Sequence, residues 1–215
     1  MPDTVKKISD SLEIIVLTDI IPLIYLQKLQ EKFTEATNVA SIIIDLQGNP
    51  ITKPSNFSKI CTLILNTELG KHQCDASDDE RKKLSNNNDQ PIYLKCHPCG
   101  FADASIPVFI NGQRVADWLI GQVNLNDADR NEIIDYATII GIDISETLIA
   151  FEKMPKMSSL KFEEAVKLLF RLSSDIMDMS YREFQSDSSD KEAFYNAIQN
   201  RFEHALNEFK NSPEK

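Results

Sequence analysis

Two hydrophobic periods divide this chain. From Ile24 onward the apolar positions recur at helical spacing. Leu26, Leu29, Gln30, Phe33 and Ala36 share one face, and Thr37-Asn38 closes the helix. Upstream, the apolar stretch Leu12–Ile21 is too short to decide between strand and helix, and Met1–Ser11 is polar and expected to fray. Val39–Asp45 is β-branched and short, so it predicts a buried strand. Gln47-Gly48-Asn49 makes a turn and Pro50–Lys53 a return strand. A short helix is expected over Phe57–Asn66, capped by Ser55 or Asn56, and a second, highly charged one over Asp78–Leu84. Pro91–Lys95 reads as a strand. Ala104–Ile110 and Val115–Val123 flank Asn111-Gly112, a strong hairpin signal because both turn residues must accept positive φ. Pro107, inside the first of these runs, points to an edge position or a bulge. The remainder is helical: Asp127–Ile140, Ser145–Phe151, Leu160–Phe184 and Lys191–Lys210, with a polar break at Ser186–Asp190.

The order helix, two strands, short helices, three strands, helices predicts an α+β fold. Its core is a PAS-like five-stranded antiparallel sheet, with short helices inserted between strands two and three and further helices at both ends. In such a layout the inserted helices wall a cavity over the sheet. The expected division is a flexible terminus over 1–11, a sensory core over 12–155, a signalling or packing helix over 156–185 and a terminal helix over 186–215. In Leu160–Phe184 the residues Phe162, Ala165, Leu169, Leu172, Ile176 and Met179 form a heptad-like seam. Two readings stay open for it: packing on the sheet, or the coiled coil of a homodimer.

Composition narrows the function. The 215 residues are 42% apolar and 26% charged, a globular composition, and the 6 glycines are few for a phosphate-cradling or doubly wound fold. The formal net charge of −10 argues against direct nucleic-acid binding, which needs clustered Lys and Arg. Glu13, Asp19 and Pro22 interrupt the apolar stretch Leu12–Leu26, so it reads neither as a membrane span nor as a signal peptide, and a cytoplasmic location is expected. No Gly-x-Ser-x-Gly, P-loop or His-Glu-x-x-His pattern occurs, so no enzyme activity is expected.

The chemistry concentrates in Cys61, Cys74, Cys96 and Cys99, spaced C-x12-C-x21-C-x2-C. The Cys-x-x-Cys knuckle can place two thiolates on one turn for a tetrahedral ion, zinc first and an iron–sulfur cluster second. Cys61 is expected on a helix and Cys74 on the loop after it, with His72 and His97 as substitute ligands. The alternative is a buried core cysteine at Cys61 with the other three as reduced thiols near one pocket. A thioredoxin-like role for Cys96-His97-Pro98-Cys99 lacks the helix that would follow.

Several ordered motifs together resemble the PocR sensory-domain family. They are Gly48 after a strand, Asn56-Phe57 before Cys61, Cys74 with Ser77-Asp78, Cys96-His97, Gly100, Asp103, Ile106-Pro107 and Gly121-Gln122-Val123. The match runs over roughly Leu12–Val123, and more loosely to about Phe184. The resemblance implies a PAS-related domain that senses a small organic molecule such as a diol, with family cysteines at Cys61, Cys74 and Cys96. The chain departs from the family's common Cys-His-Ala-Gly in reading Cys-His-Pro-Cys-Gly, which adds Cys99 and favours the metal reading. Relatives often carry a DNA-binding or kinase domain after the sensor. No recognition helix is evident here, which points to a regulatory output domain or protein reached through the C-terminal helices. The rival function is a metal or redox sensor in which the four-cysteine site is itself the sensing element; a third is a plain interaction module.

The expected ligand contacts are Phe57, His97, Trp118 and Gln122. Strand alternation places Ala116, Trp118, Ile120 and Gln122 on one face and Val115, Asp117, Leu119, Gly121 and Val123 on the other. A Gln beside a Trp could orient a ligand in an apolar pocket; a plain strand-end Gln would bond a backbone group instead. Asp75, Asp78, Asp79 and Glu80 read as the first turn of a helix, and His204 as a solvated side chain.

Overall fold

The computed structural model describes residues 15–86, 88–97, 99–125, 128–186 and 190–212. The expected frayed terminus, and residues 187–189 of the polar break, lie outside them. The elements run α1 (Leu17–Ile20), α2 (Leu23–Thr37), β1 (Ala40–Asp45), α3 (Lys59–Leu65), α4 (Glu68–Ser85), β2 (Ile92–Lys95), β3 (Ala102–Ile110), β4 (Gln113–Val123), α5 (Arg130–Ile140), α6 (Ile144–Glu152), α7 (Ser159–Gln185) and α8 (Lys191–Asn211). The sheet is antiparallel, in the order β1-β4-β3-β2.

Among the described residues there are four strands where five were expected. The return segment meets β1 only at two isolated bridges, Ile44↔Pro50 and Ser41↔Ser55. Pro50 and Pro54 carry no backbone N–H, and a ladder cannot run past two missing donors. The segment still covers the outer edge of β1. The hairpin forms as expected, with φ of 51° at Asn111 and 75° at Gly112. Pro107 sits on an inner strand, β3. It is accommodated because the β2 ladder ends at Ser105, and the ladder to β4 shifts register between Val108 and Phe109.

One face of the sheet carries the larger core. Trp118, Ile120, Ile106, Ala104 and Ile43 pack there against Phe33 of α2, Phe162, Ala165 and Leu169 of α7, and Ile198 and Phe202 of α8. The seam on α7 is thus buried within the chain, and its partner is the sheet. At the end of this layer the buried Lys161 ammonium donates to Phe209 O and to Ser212 Oγ, capping the last carbonyls of α8.

The opposite face is different. Ile60 and Ile64 of α3, Cys99, Phe101, Ile133 and Tyr136 of α5, and Ala150 and Phe151 of α6 form a second, smaller core. Beside it lies α4, which spans 18 residues and begins ten residues earlier than the expected charged helix. Its cap is Thr67, whose hydroxyl accepts from Gly70 N at 3.0 Å. Gly70 permits the tight α3–α4 corner, since a Cβ there would lie 2.3 Å from Ile64 O. Cys74 and His72 are therefore on a helix and not on a loop, and the acidic run 75–80 is mid-helix, not a first turn. Likewise α3 is capped by Ser58, later than Ser55 or Asn56.

Candidate functional site

A cavity of about 330 Å³ lies between this second face of the sheet and α3–α4. Ile42, Ile44 and Leu119 give it an apolar floor; Cys61, Leu65, Cys74, Ser77 and Arg81 wall it from the two helices. Phe57, Pro50 and Pro54 line it from the loop that follows β1. The C-terminal end of α4 is tied to the sheet by a buried polar group: Arg114 pairs with Asp117, and Ser85 Oγ bonds both Asp117 Oδ2 and Ser105 Oγ at 3.2 Å. Tight at both ends, α4 holds the cavity open while its middle faces the floor.

The polar feature of the floor is Asp103. Its Oδ1 accepts from Gln122 N at 2.9 Å. It lies directly over Gly121, where a Cβ would stand 1.7 Å from that oxygen, so only glycine fits beneath the carboxylate. Burial pushes the Asp103 carboxyl up from 3.8 to about 6, opposed by the Gln122 N–H. Arg81, paired with Asp78 at 2.9 Å, acts in the same sense as that N–H. Sequence reasoning named Asp103 only as a family position and not as a ligand contact. The available signal was a lone acid in the apolar run ADASIPVFI.

Of the four expected ligand contacts, the structure brings two to the cavity. Phe57 lines it and is half exposed. Gln122 lines it as well, for a reason that alternation misses. Ala102 pairs with Val123 and Asp103 with Gly121, so Gln122 is an extra residue in a β-bulge, at φ 59°. The bulge takes it out of step with Trp118. Its Oε1 accepts from Ser58 N at 2.7 Å, fixing the start of α3. Trp118 lies on the other face, fully buried against Phe202, with Nε1 donating to Ser41 Oγ at 2.7 Å. It does not line the cavity. His97 is exposed and outside the lining; its backbone N–H donates to Ser77 Oγ at 3.2 Å.

Cys61, Cys74 and Cys96 all open onto the cavity, whereas Cys99 turns into the second core at 7% exposure. The knuckle therefore splits its two thiols between a polar and an apolar environment. Among the described residues, no group of three or more His, Cys, Asp or Glu is arranged to hold a metal ion. Cys74 and Cys96 share a hydrogen bond that lowers the Cys74 thiol and raises Cys96, so the thiolate favours Cys74. Burial pushes Cys61 up to about 12 and Cys99 upward as well. All four feel the Asp103 charge.

The sheet thus carries a helical layer on one face and, on the other, a walled cavity of the size that small molecules occupy. The family model for the sensory domain found in PocR matches residues 19–181, and the chain belongs to that family. It is also 30% identical, over 145 residues, to the regulatory protein PocR of Salmonella typhimurium strain LT2. That match covers 67% of this chain and 47% of the relative, so the chain spans about half the relative's length. No solved structure matches the chain. Among the described residues no helix is long and apolar enough to cross a membrane.

Proposed function

We propose that this domain senses a small organic molecule held in the cavity beneath α4. The observation that carries the reading is the cavity itself: about 330 Å³, apolar on its floor, with one carboxylate at its base. That volume suits a compact ligand. A hydroxylated compound, a diol among them, would donate to Asp103 and lay its carbon skeleton over Ile42 and Leu119. Phe57 and Gln122 would complete the contact; His97 and Trp118 would serve the framework. The sheet is read as PAS-like because the segment 50–55 occupies the place of a fifth strand beside β1.

Transmission runs through β3, which carries Asp103 on the cavity side and packs against α7 on the other. A ligand that binds two arrangements of α4 unequally would reposition α7 and α8 and so address a regulatory output in a cytoplasmic setting. The charge of −10 supports an output in a separate domain or protein, with no nucleic-acid contact by this part. A homodimer is not needed for this route. The test is a thermal-shift screen of diols and simple alcohols. A saturable rise in Tm that disappears in Leu119→Trp, which fills the cavity, is expected. A rise that persists in that variant, or no rise with any compound, would overturn the reading.

A second reading rests on three thiols opening onto the same cavity, two of them hydrogen-bonded. In it the cysteines sense a metal (zinc, or an iron–sulfur cluster) or the redox state. Metal content of protein purified without oxygen, compared with Cys74→Ser, tests it. About one metal per chain that the variant loses would support it; a metal-free protein would remove the metal form.

A further inference from the structure

The cavity beneath α4 (Glu68–Ser85) holds more hydrogen-bonding capacity than its own residues use. Asp78 and Glu80 of α4 and Lys95 of β2 line it from positions exposed to solvent. Two charged groups lie deeper: Asp103 on the floor and Arg81 on the α4 wall, whose side chain is only 11% exposed. The Arg81 charge is felt at Asp103, where it favours the carboxylate, so the two groups face a common space.

Three sets of polar atoms are unspent there. Asp103 Oδ1 takes the Gln122 N–H, and Oδ2 has no partner among the described residues. Gln122 Oε1 takes the Ser58 N–H, and among the same residues its Nε2 donates to nothing. Arg81 Nη2 donates to Asp78 at 2.9 Å, which leaves Nε and Nη1 without acceptors among them. None of these atoms is sealed off. The side-chain atoms that are both unpaired and closed to solvent, among the described residues, are Ser180 Oγ and Glu183 Oε1 on α7. The idle atoms of Asp103, Gln122 and Arg81 are accessible, and all three residues line the cavity.

A guanidinium withdrawn from water needs its donors answered, and Asp78, itself 67% exposed, answers one of them. The fork of N–H groups matches a carboxylate in geometry and in charge, better than it matches a hydroxyl. At the other pole a single hydroxyl meets both idle groups, donating to Asp103 Oδ2 and accepting from Gln122 Nε2.

We propose that the cavity ligand is a short hydroxy acid, its hydroxyl held by Asp103 and Gln122 and its carboxylate by Arg81. This rests on the reading of the cavity as a small-molecule site and narrows it, with Arg81 as the residue that sets specificity. The carbon skeleton between the two poles lies over Ile42 and Leu119. Arg81 belongs to α4 and Asp103 to β3, so a ligand with both functional groups ties the helical wall to the sheet. A compound that has only one of them occupies the cavity without making that tie.

The test is calorimetric titration of the full chain with four compounds of one carbon skeleton: 2-hydroxybutanoate, 1,2-butanediol, 2-hydroxybutanamide and butanoate. The hydroxy acid should bind about tenfold or more tighter than the diol, the amide or the acid without a hydroxyl. Arg81→Leu should bring the hydroxy acid down to the affinity of the diol while changing the diol far less, and Arg81→Lys, which keeps the charge and loses the fork, should restore part of the difference. Leu119→Trp should abolish binding of all four. A diol or amide that binds as tightly as the hydroxy acid overturns the proposal and leaves the cavity reading in place. So does an Arg81→Leu variant that weakens acid and diol equally, because Arg81 would then only shape the wall. No binding by any of the four, or binding that persists in Leu119→Trp, removes both.

Discussion

Replacing Asp103 by Asn should stabilise the protein, and by an amount that depends on pH in a defined direction. The carboxyl is raised from 3.8 to about 6, chiefly by burial, so ionising it costs the folded state more than the unfolded one. A carboxyl raised on folding contributes stability that is complete below its unfolded pKa and is lost as pH climbs through the folded value. At about 1.4 kcal/mol for each tenfold change in proton affinity, the wild type gives up about 3 kcal/mol between about pH 3 and pH 8. Asn keeps the acceptor that Gln122 N uses at 2.9 Å and cannot ionise. The variant should therefore exceed the wild type by about 1 kcal/mol near pH 4.5 and about 3 kcal/mol near pH 8. Urea unfolding at a series of pH values measures this. A constant difference across that range, or a variant that is weaker at high pH, would refute the account of Asp103 as a strained, buried acid. The same variant should bind a hydroxylated cavity ligand less tightly, the usual opposition of stability and function at a site.

Three further outcomes follow from the geometry. Gly121→Ala should cost about 2 kcal/mol or more, because its Cβ would meet Asp103 Oδ1 at 1.7 Å and Asp103 Cα at 2.8 Å. Adding Asp103→Ala should recover only part of this in a melting experiment, since the clash with the backbone of residue 103 stays; full recovery would mean that the carboxylate alone demands the glycine. Trp118→Phe, losing the bond to Ser41 Oγ, should lower stability by about 1–2 kcal/mol in denaturant while leaving cavity affinity unchanged. A changed affinity would bring Trp118 into the site. With iodoacetamide near neutral pH, Cys74 should label before Cys61, Cys96 and Cys99, as peptide mass spectrometry would show, because only its thiol is lowered. Faster labelling of Cys61 or Cys99 would contradict the hydrogen bond from Cys96.

Most elements announced themselves in the sequence where one face is apolar and the period is clean. The stripes of α2, α7 and α8 face a deep core, and Asn38 closes α2 in the left-handed conformation, at φ 57°. The hairpin was carried by two residues whose backbone needs are local. What escaped did so for physical reasons. Residues 68–77 bury almost nothing, because α4 faces a cavity and solvent. It therefore shows no apolar stripe, and it rests on a Thr67 cap and good helix formers. Two prolines turned an expected strand into two bridges. At the site, a single bulge reversed the facing of Gln122 relative to Trp118, since period-two reasoning holds only while the ladder keeps step. The family resemblance was legible because its motifs are short and ordered. Their geometric roles, Gly121 beneath Asp103 above all, need the sheet register to be seen.

The division of the interior into two separate cores sets where motion can occur. Large aromatic and aliphatic side chains lock the sheet to α2, α7 and α8, while α4 itself buries only Gly70 and Ser85. Cooperative units with little apolar contact open at lower free energy. Amide hydrogens in the middle of α4 should thus exchange with solvent through local openings that leave β3 and β4 protected. An occupant of the cavity would slow the exchange of α4 and α3 first. The scaffold would register it as a redistribution of local opening, and the domain could answer a ligand without its global unfolding equilibrium being the reporter.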